Sequence, residues 1–269
     1  MADLDMLRAK AKQFRREILE TISGAGAGHP GGSLSAIDIL TCLYFGKLKV
    51  DPKDPLKEGR DRFIMSKGHA SPALYVVLAN KGFFEKKELK NFRKLGALLQ
   101  GHVYTGVPGV ELSTGSLGQG LSFANGMALA GKLKDLPFKV YCMLGDGEMQ
   151  EGQVWEALMT AVHHQLDNIC IIIDTNKVQQ NGLVSEIKNL EPLTRKLKSF
   201  GCEVMEIDGH NMEEISTALE GFGKVKNKPY VIKANTIKGK GVSFMELNSK
   251  WHGKAPNKEE LAAALKELL

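Results

Sequence analysis

Two apolar runs, each followed at once by polar side chains, constrain the fold of this chain more than any other feature. Residues 139–144 precede a Gly-Asp-Gly segment at 145–147, and residues 168–173 precede Asp-Thr-Asn at 174–176. Both runs are typical of buried strands, and one helix is expected between them. Because neighbouring parallel strands end at the same edge of a sheet, these polar groups are expected to meet in the crevice where open α/β sheets bind ligands.

Three oxygen atoms at this edge are candidates to bind a metal ion. Asp146 offers a carboxylate, Asn176 offers an amide oxygen, and a backbone carbonyl near Val178 could add a third ligand. These ligands are too few for a closed calcium site, but they suit magnesium, which takes the rest from water and substrate phosphates. The residues therefore predict a magnesium-diphosphate site.

The rest of the chain alternates strand and helix patterns, which predicts an α/β fold with a parallel sheet flanked by helices. Further strands are expected at 63–65, 203–207 and 230–235. Helices are expected at 4–24, 35–44, 71–81, 120–134, 152–164, 192–199, 212–221 and 259–269. No repeat or low-complexity linker divides the sequence, so residues 1–269 are expected to form a single domain.

Composition and charge exclude several classes of protein. The net charge of +5 is spread along the chain, whereas a nucleic-acid-binding protein usually carries a dense basic stripe. The cysteines at 42, 142, 170 and 202 are far apart, so neither a disulfide framework nor a zinc site is indicated. The polar N-terminus is unlike a signal peptide, and no apolar run is long enough to span a membrane. The expected location is the cytoplasm.

Glycine and histidine occur together along the chain. Five of the seven histidines have a glycine neighbour, namely His29, His69, His102, His210 and His252. Glycine lets the backbone approach a ligand closely, and imidazole can hold oxygens or transfer protons near neutral pH. The glycines from 26 to 31 also match the dinucleotide fingerprint, but a helix precedes them and Pro30 interrupts them, so a nicotinamide site is rejected.

The Gly-Asp-Gly segment and the downstream Asn176 resemble the thiamine diphosphate signature, in which both share one metal ion. The wider chain resembles the transketolase group, whose motifs it carries in order from the first helix to about Pro256. The matching segments are residues 23–32, 66–70, 101–102, 108–120, 238–242 and 251–253. The resemblance implies the family's diphosphate-domain fold, with thiamine diphosphate and Mg²⁺ as cofactors.

The resemblance also implies roles for individual residues. Metal ligands would be Asp146, Asn176 and Val178, and catalytic histidines would be His29, His102 and His252. Cofactor-binding residues would be Lys67, His69, Gly115, Leu117, Gly147, Glu151, Asn176, Gln180 and His252. Lys67 and Gln180 match the lysine and glutamine of animal-type members.

Some of these positions keep an alternative role. Gly115 and Leu117 would lie against the cofactor's rings in the family, or would serve close packing of the following helix. Glu151 would lie near the thiamine ring system, would favour the dipole of its own helix, or both. His210 is expected to cap the helix that begins near Met212, and His163 and His164 are expected in the core or on the surface.

The resemblance implies a partner protein as well. The family's activating glutamate lies in a pyrimidine domain, which this sequence lacks, so the chain is expected to be the N-terminal subunit of a split transketolase. A fragment of a full-length enzyme would look almost the same. Together with a C-terminal subunit that carries the pyrimidine-binding and C-terminal domains, it would transfer a two-carbon ketol unit between sugar phosphates, as in the pentose phosphate pathway. The alternatives are a related enzyme subunit that acts on another ketose, and a non-catalytic cofactor-binding paralogue.

The expected assembly is an α2β2 heterotetramer without nucleic acid or membrane. The glycine- and alanine-rich helix at 120–134 is the expected contact between two copies, and bulky residues at Ala124 or Ala128 are expected to block it. The final helix, with Leu261, Leu265 and Leu268 on one stripe, is expected to pack onto the same domain.

Overall fold

The fold is built around a five-stranded parallel sheet with strand order β1-β2-β3-β7-β6. It is described in a computed structural model for residues 3–269. The strands of this sheet are β1 (Arg62–Met65), β2 (Val140–Gly145), β3 (Ile169–Thr175), β6 (Glu203–Asp208) and β7 (Tyr230–Asn235). The expected α/β fold, a parallel sheet flanked by helices, is confirmed.

Helices cover both faces of the sheet. They are α1 (Leu4–Ala25), α2 (Pro30–Cys42), α3 (Ser71–Lys81), α4 (Gln119–Leu133), α5 (Gly152–His163), α6 (Val184–Ile187), α7 (Leu193–Ser199), α8 (Met212–Gly221) and α9 (Lys258–Glu267). A π-helical turn, Leu43–Lys47, continues α2. One apolar cluster packs α1, α2, α3 and α8 against one face of the sheet, and a second packs α4, α5 and α7 against the other. Burial on both faces explains why β2 and β3 are continuous apolar runs and not alternating ones.

The register of β2 and β3 positions the polar residues that follow them. Gly145 lies opposite Asp174, and the backbone N–H of Asp146 donates to the carbonyl of Asp174 at 3.2 Å. β3 ends at Thr175, two residues beyond the expected end at 173. It is buried along its whole length, including Asp174 and Thr175. The predicted strand was too short because an acidic residue in a buried strand is rare unless it is paired. Only Asn176 lies beyond the strand.

The start of α2 was predicted wrongly. It begins at Pro30 and not near residue 35. Proline is well suited to the first helical turn, where its missing N–H costs no hydrogen bond. Packing requires the glycine at position 31, since a Cβ there would lie 2.9 Å from Cγ of Lys238 and 3.0 Å from the carbonyl oxygen of Trp251.

A small antiparallel hairpin was not predicted. β4 (Val178–Gln179) pairs with β5 (Gly182–Leu183), and the preceding Lys177 has a φ of 71°. Strands of two residues carry no periodic pattern, so nothing in the sequence signals them.

The expected helix cap at His210 is also wrong. The Asn211 side chain caps α8, accepting hydrogen bonds from the backbone N–H groups of Glu213 and Glu214. His210 instead places Nδ1 2.7 Å from an Asp38 carboxylate oxygen, while its Nε2 accepts from the backbone N–H of Ile237 at 2.8 Å. Arg15 pairs with the same carboxylate at 2.5 Å. His210 therefore joins α1 and α2 to the segment after β7.

The sequence predicted contacts for the surfaces of two helices, α9 and α4. α9 packs against α1, and Ala264 within it and Leu268 just after it are buried in the first cluster, as expected for packing onto the same domain. In α4, Ala124 and Ala128 are fully buried against the sheet. The expectation that bulky residues at these two positions would block a contact between two copies is therefore wrong, because neither position lies on the outer surface. The outward side of α4 carries Phe123, which is 53% exposed, and Gly126.

Within residues 3–269, no helix combines the length and the apolar character that crossing a membrane requires.

Candidate functional site

A cavity of about 230 Å³ lies at the carboxyl ends of β2 and β3. The turn after β2, the hairpin after β3 and the loops after β1 and β7 form its walls. Its lining residues are Lys67, His69, Leu117, Gly145, Asp146, Gly147, Glu148, Gln150, Glu151, Asn176, Val178, Gln179, Gln180, Lys238 and His252. This is the position at which open parallel sheets bind ligands.

Asp146 is held by backbone groups on both sides of the cavity. One carboxylate oxygen accepts from the N–H of Gly147 at 2.8 Å, and the other accepts from the N–H of Lys177 at 2.6 Å. The side chain is buried, and burial, together with the nearby charge of Asp174, raises its pKa to about 6. A carboxylate in this environment is stabilised by a cation.

Asn176 and Val178 supply further oxygen atoms next to Asp146. The Asn176 side-chain NH₂ donates to Ser35 at 3.2 Å, and its oxygen accepts from the N–H of Val178 at 3.3 Å. Within residues 3–269, no three His, Cys, Asp or Glu side chains are grouped as a metal site. One carboxylate, one amide oxygen and one backbone carbonyl nevertheless form a donor set that fits magnesium, which keeps several ligands from water or phosphate.

Lys67 and Asp174 form a buried ion pair beneath the cavity. Lys67 is 1% exposed, and its ammonium also donates to the carbonyl of Gly32 at 2.9 Å. Asp174 accepts hydrogen bonds from Lys67, Ser35 and Thr236. Although burial alone would raise the pKa of Asp174, Lys67 and these hydrogen bonds hold it below its usual range.

Lys238 is a second buried ammonium at the cavity. Its Nζ donates to the carbonyl of Val178 at 2.7 Å and lies 2.8 Å from Nδ1 of His252. Burial and the neighbouring Lys67 charge lower its pKa to about 8. A buried ammonium with no carboxylate among its hydrogen-bond partners favours a negatively charged ligand in the cavity.

Four histidine rings are in contact beside the cavity. The His29 ring centroid lies 5.2 Å from that of His69, 5.9 Å from that of His102 and 5.3 Å from that of His252. Burial is the main cause that lowers the pKa of all four, to about 4 for His29 and about 3 for His252. Nδ1 of His29 is buried without a hydrogen-bond partner, so a polar ligand there would satisfy it.

Glu148 holds three cavity-lining loops together. Its carboxylate accepts from the hydroxyl of Ser66 after β1, from the N–H of Gly118 before α4 at 2.9 Å, and from the N–H of Gly145 at 3.1 Å. It is 2% exposed, and burial raises its pKa.

The structure brings most of the predicted site residues together. The ones that line the cavity are Lys67, His69, Leu117, Asp146, Gly147, Glu151, Asn176, Val178, Gln180 and His252. His29 and His102 do not line it, but they adjoin it through their ring contacts. A Cβ at Gly115 would lie 3.6 Å from Cδ2 of His102, so Gly115 borders the histidines. Glu151 precedes α5 and makes no capping hydrogen bond with its side chain.

Lys238 and Glu148 were missed as site residues by sequence reasoning. Lys238 lies inside a recognised motif, but its contact with Val178 joins segments 60 positions apart. Glu148 lies two residues after Asp146. A glutamate is usually exposed, and the three donors that permit its burial cannot be identified from the sequence.

Comparisons with known proteins agree with this architecture. The family described as "Transketolase, thiamine diphosphate binding domain" matches residues 7–269. The chain is 44% identical over 263 residues to the 6-deoxy-6-sulfo-D-fructose transketolase subunit SqwG of Clostridium sp., covering 97% of this chain and 96% of that protein. It is 40% identical over 265 residues to one of the subunits of the apulose-4-phosphate transketolase of Phocaeicola vulgatus, covering 98% and 94% respectively.

A solved structure gives the same result. The transketolase from Campylobacter jejuni matches with a TM-score of 0.94 at 36% identity over 99% of this chain. The present chain spans 43% of that longer protein. In sequence and in fold, this chain belongs to the transketolase family and corresponds to its thiamine diphosphate-binding domain.

Proposed function

We propose that this chain is the thiamine diphosphate-binding subunit of a two-subunit transketolase. Residues 1–269 would act as one diphosphate-binding domain, and a separate C-terminal subunit would supply the pyrimidine-binding and C-terminal domains. The observation that carries the proposal is the cavity itself, where Asp146, Asn176 and Val178 lie beside two buried lysines and a histidine cluster. Relatives of nearly the same length are named as transketolase subunits, which supports the two-subunit arrangement.

The residues present fit the cofactor. A diphosphate is an anion that binds a divalent metal, and the cavity combines a magnesium-type oxygen set with the ammonium groups of Lys67 and Lys238. Asp146, Asn176 and the Val178 carbonyl would hold Mg²⁺, and His69, Gly147 and Gln180 would contact the cofactor. Gly115, Leu117 and Glu151 would lie towards its ring system. When bound, thiamine diphosphate supplies the carbon centre that carries the two-carbon unit.

The histidines would bind the sugar's oxygens and transfer protons. Because the Lys238 ammonium donates to Nδ1 of His252, the neutral ring carries its hydrogen on Nε2, where it is available as a donor. The lowered pKa values of His29 and His252 keep both rings neutral at pH 7. Neutral imidazoles can both donate and accept, which suits positioning hydroxyl and carbonyl groups.

A second candidate is a subunit that acts on a ketose outside the pentose phosphate pathway. The names of two relatives favour it, since one names apulose-4-phosphate and the other 6-deoxy-6-sulfo-D-fructose. The ketose is therefore to be found with a substrate panel that contains both of these sugars and xylulose 5-phosphate. A coupled assay with the partner protein would identify the substrate that is turned over.

The metal assignment is tested by calorimetry of the reconstituted complex with thiamine diphosphate and magnesium. Asp146→Ala and Asn176→Ala should each abolish binding, because each removes a proposed metal ligand. Asp54→Ala, in an exposed turn, is the control and should bind normally. Unchanged affinity in both site variants would exclude this metal assignment.

The two-subunit arrangement has a separate test. The purified chain alone should show no ketol transfer, and activity should appear when the C-terminal subunit is added. Full turnover by this chain without a second protein would contradict the two-subunit proposal.

A further inference from the structure

Lys238 donates a hydrogen bond to an atom that the proposed metal ion also requires. Its ammonium lies 2.7 Å from the carbonyl oxygen of Val178, the third ligand of the magnesium set, and 2.8 Å from Nδ1 of His252. The side chain is 2% exposed, so bulk solvent screens this positive charge only weakly.

The partners of Lys238 differ from those of other buried lysines in the described part of the chain. Lys67 pairs with the carboxylate of Asp174, and Lys233 pairs with Glu191 and Glu206. Lys238 donates to a carbonyl and contacts an imidazole, both neutral. A buried cation is costly unless anions compensate it. The carboxylates of Asp146 and Asp174 offset part of this cost without a hydrogen bond to Lys238, so a further anion in the cavity would stabilise the ammonium more.

Packing holds the Lys238 stem in place. A Cβ on Gly31 would lie 2.9 Å from Cγ and 3.0 Å from Cε of Lys238, and 3.0 Å from the carbonyl oxygen of Trp251. The stem therefore runs through a channel that exists because residue 31 is glycine.

We propose that Lys238 competes with the metal for the Val178 carbonyl until a diphosphate arrives, so that the chain binds a divalent ion poorly on its own. With the ammonium on this carbonyl, an ion at Asp146 and Asn176 would have to share the Val178 oxygen and would meet a positive charge at close range in a site of low dielectric. A diphosphate removes both obstacles, because its oxygens can accept from Lys238 and also bind the metal. The inference rests on the proposed function and adds to it a coupling between metal and anion.

The test measures binding of Mn²⁺ alone to the full chain, without thiamine diphosphate, by electron paramagnetic resonance. Lys238→Met and Lys238→Gln should each bind Mn²⁺ about tenfold or more tightly than the wild type, because the competing charge is gone. Thermal unfolding establishes which variants are folded, and either one that is folded suffices. Adding Asp146→Asn to Lys238→Met should remove the gain, which locates the ion at this site.

Lys240→Met is the matched control, since Lys240 follows closely in sequence but pairs with Glu246 outside the cavity. It should bind Mn²⁺ like the wild type. Equal or weaker Mn²⁺ binding by the folded Lys238 variants overturns the inference, and so does a gain that survives Asp146→Asn.

A parallel titration separates this failure from failure of the proposed function. If the wild type with thiamine diphosphate binds Mn²⁺ in a manner that depends on Asp146, while the Lys238 variants show no gain without cofactor, only the inference is wrong. If no Asp146-dependent Mn²⁺ binding appears even with thiamine diphosphate, the metal site and the inference are both wrong.

Discussion

His252 receives a hydrogen bond from a buried ammonium on one ring nitrogen and lines the cavity. That contact fixes its tautomer, and its pKa of about 3 keeps the ring neutral. Removing the His252 side chain should therefore impair proton transfer to the reacting oxygens more than it weakens cofactor binding. We expect His252→Ala to lower turnover of the reconstituted complex by about 10²- to 10⁴-fold, with a smaller loss of cofactor affinity.

Steady-state kinetics and calorimetry on the same preparation check this expectation. His163→Ala, on the exposed side of α5, serves as the control and should keep normal turnover. Wild-type turnover in His252→Ala would assign this residue a structural role.

The histidine cluster also predicts how stability depends on pH. The pKa of His29 falls from 6.5 to about 4, chiefly because of burial and then because of the positive charges nearby. Between these values the unfolded chain binds a proton that the folded chain does not, so the free energy of unfolding decreases as the pH falls. Asp146 acts in the opposite direction, since its pKa is raised from 3.8 to about 6 and the folded chain binds its proton more tightly.

Replacing His29 isolates its contribution. We expect the loss of stability between about pH 6.5 and about pH 4 to be smaller in His29→Gln than in the wild type. Urea unfolding at several pH values in this window measures the difference. His163→Gln is the control, and an identical pH dependence in His29→Gln and the wild type would show that His29 is not the group responsible.

At the scale of elements, the short turn Gly147–Gln150 connects β1, β2 and α4 through Glu148. Glu148→Ala would leave two buried backbone N–H groups and one hydroxyl without an acceptor. We expect a loss of about 2–5 kcal/mol in the free energy of unfolding, and a smaller loss for Glu148→Gln, which keeps one acceptor oxygen.

Chemical denaturation of the isolated chain measures this loss. Glu156→Ala, on the exposed side of α5, should change stability by less than about 0.5 kcal/mol. If Glu148→Ala were as stable as this control, the three loops would have to be held by other contacts.

The sequence predicted the elements with a strong pattern and missed those without one. The apolar runs at β2 and β3 and the polar groups after them predicted the edge of the sheet at which the cavity lies, because a strand buried on both faces is apolar along its whole length. The β4–β5 hairpin has no such pattern, and the network of His210 and Asp38 joins residues 172 positions apart. Asp174 looked like a loop residue because the partner that permits its burial, Lys67, lies 107 positions away.

At the scale of the whole molecule, the proposed heterotetramer requires an outer surface on α4. Ala124 and Ala128 cannot test it, since both are buried in the core. Gly126 can, because a Cβ there would meet nothing within 4 Å and Phe123 nearby on the same helix is 53% exposed. We expect Gly126→Trp to leave the chain folded but to prevent pairing of two copies.

Light scattering of the mixed subunits measures this effect. Gly59→Trp, at another open glycine in an exposed turn, is the matched control and should assemble normally. Normal assembly of Gly126→Trp would place the contact elsewhere.

The proposed metal ligands lie on elements that differ greatly in the extent of their strand pairing. Asp146 and Asn176 directly follow the buried strands β2 and β3, whereas Val178 belongs to a hairpin with only two residue pairs. Amide hydrogens of β3 should exchange with solvent only when the whole sheet opens, while those near Val178 should exchange through local opening. We expect thiamine diphosphate and magnesium to slow exchange in the hairpin far more than in β3, as mass spectrometry of deuterium uptake would show. Cofactor binding would then appear as slower deuterium uptake in one short segment, while uptake in the sheet would change little.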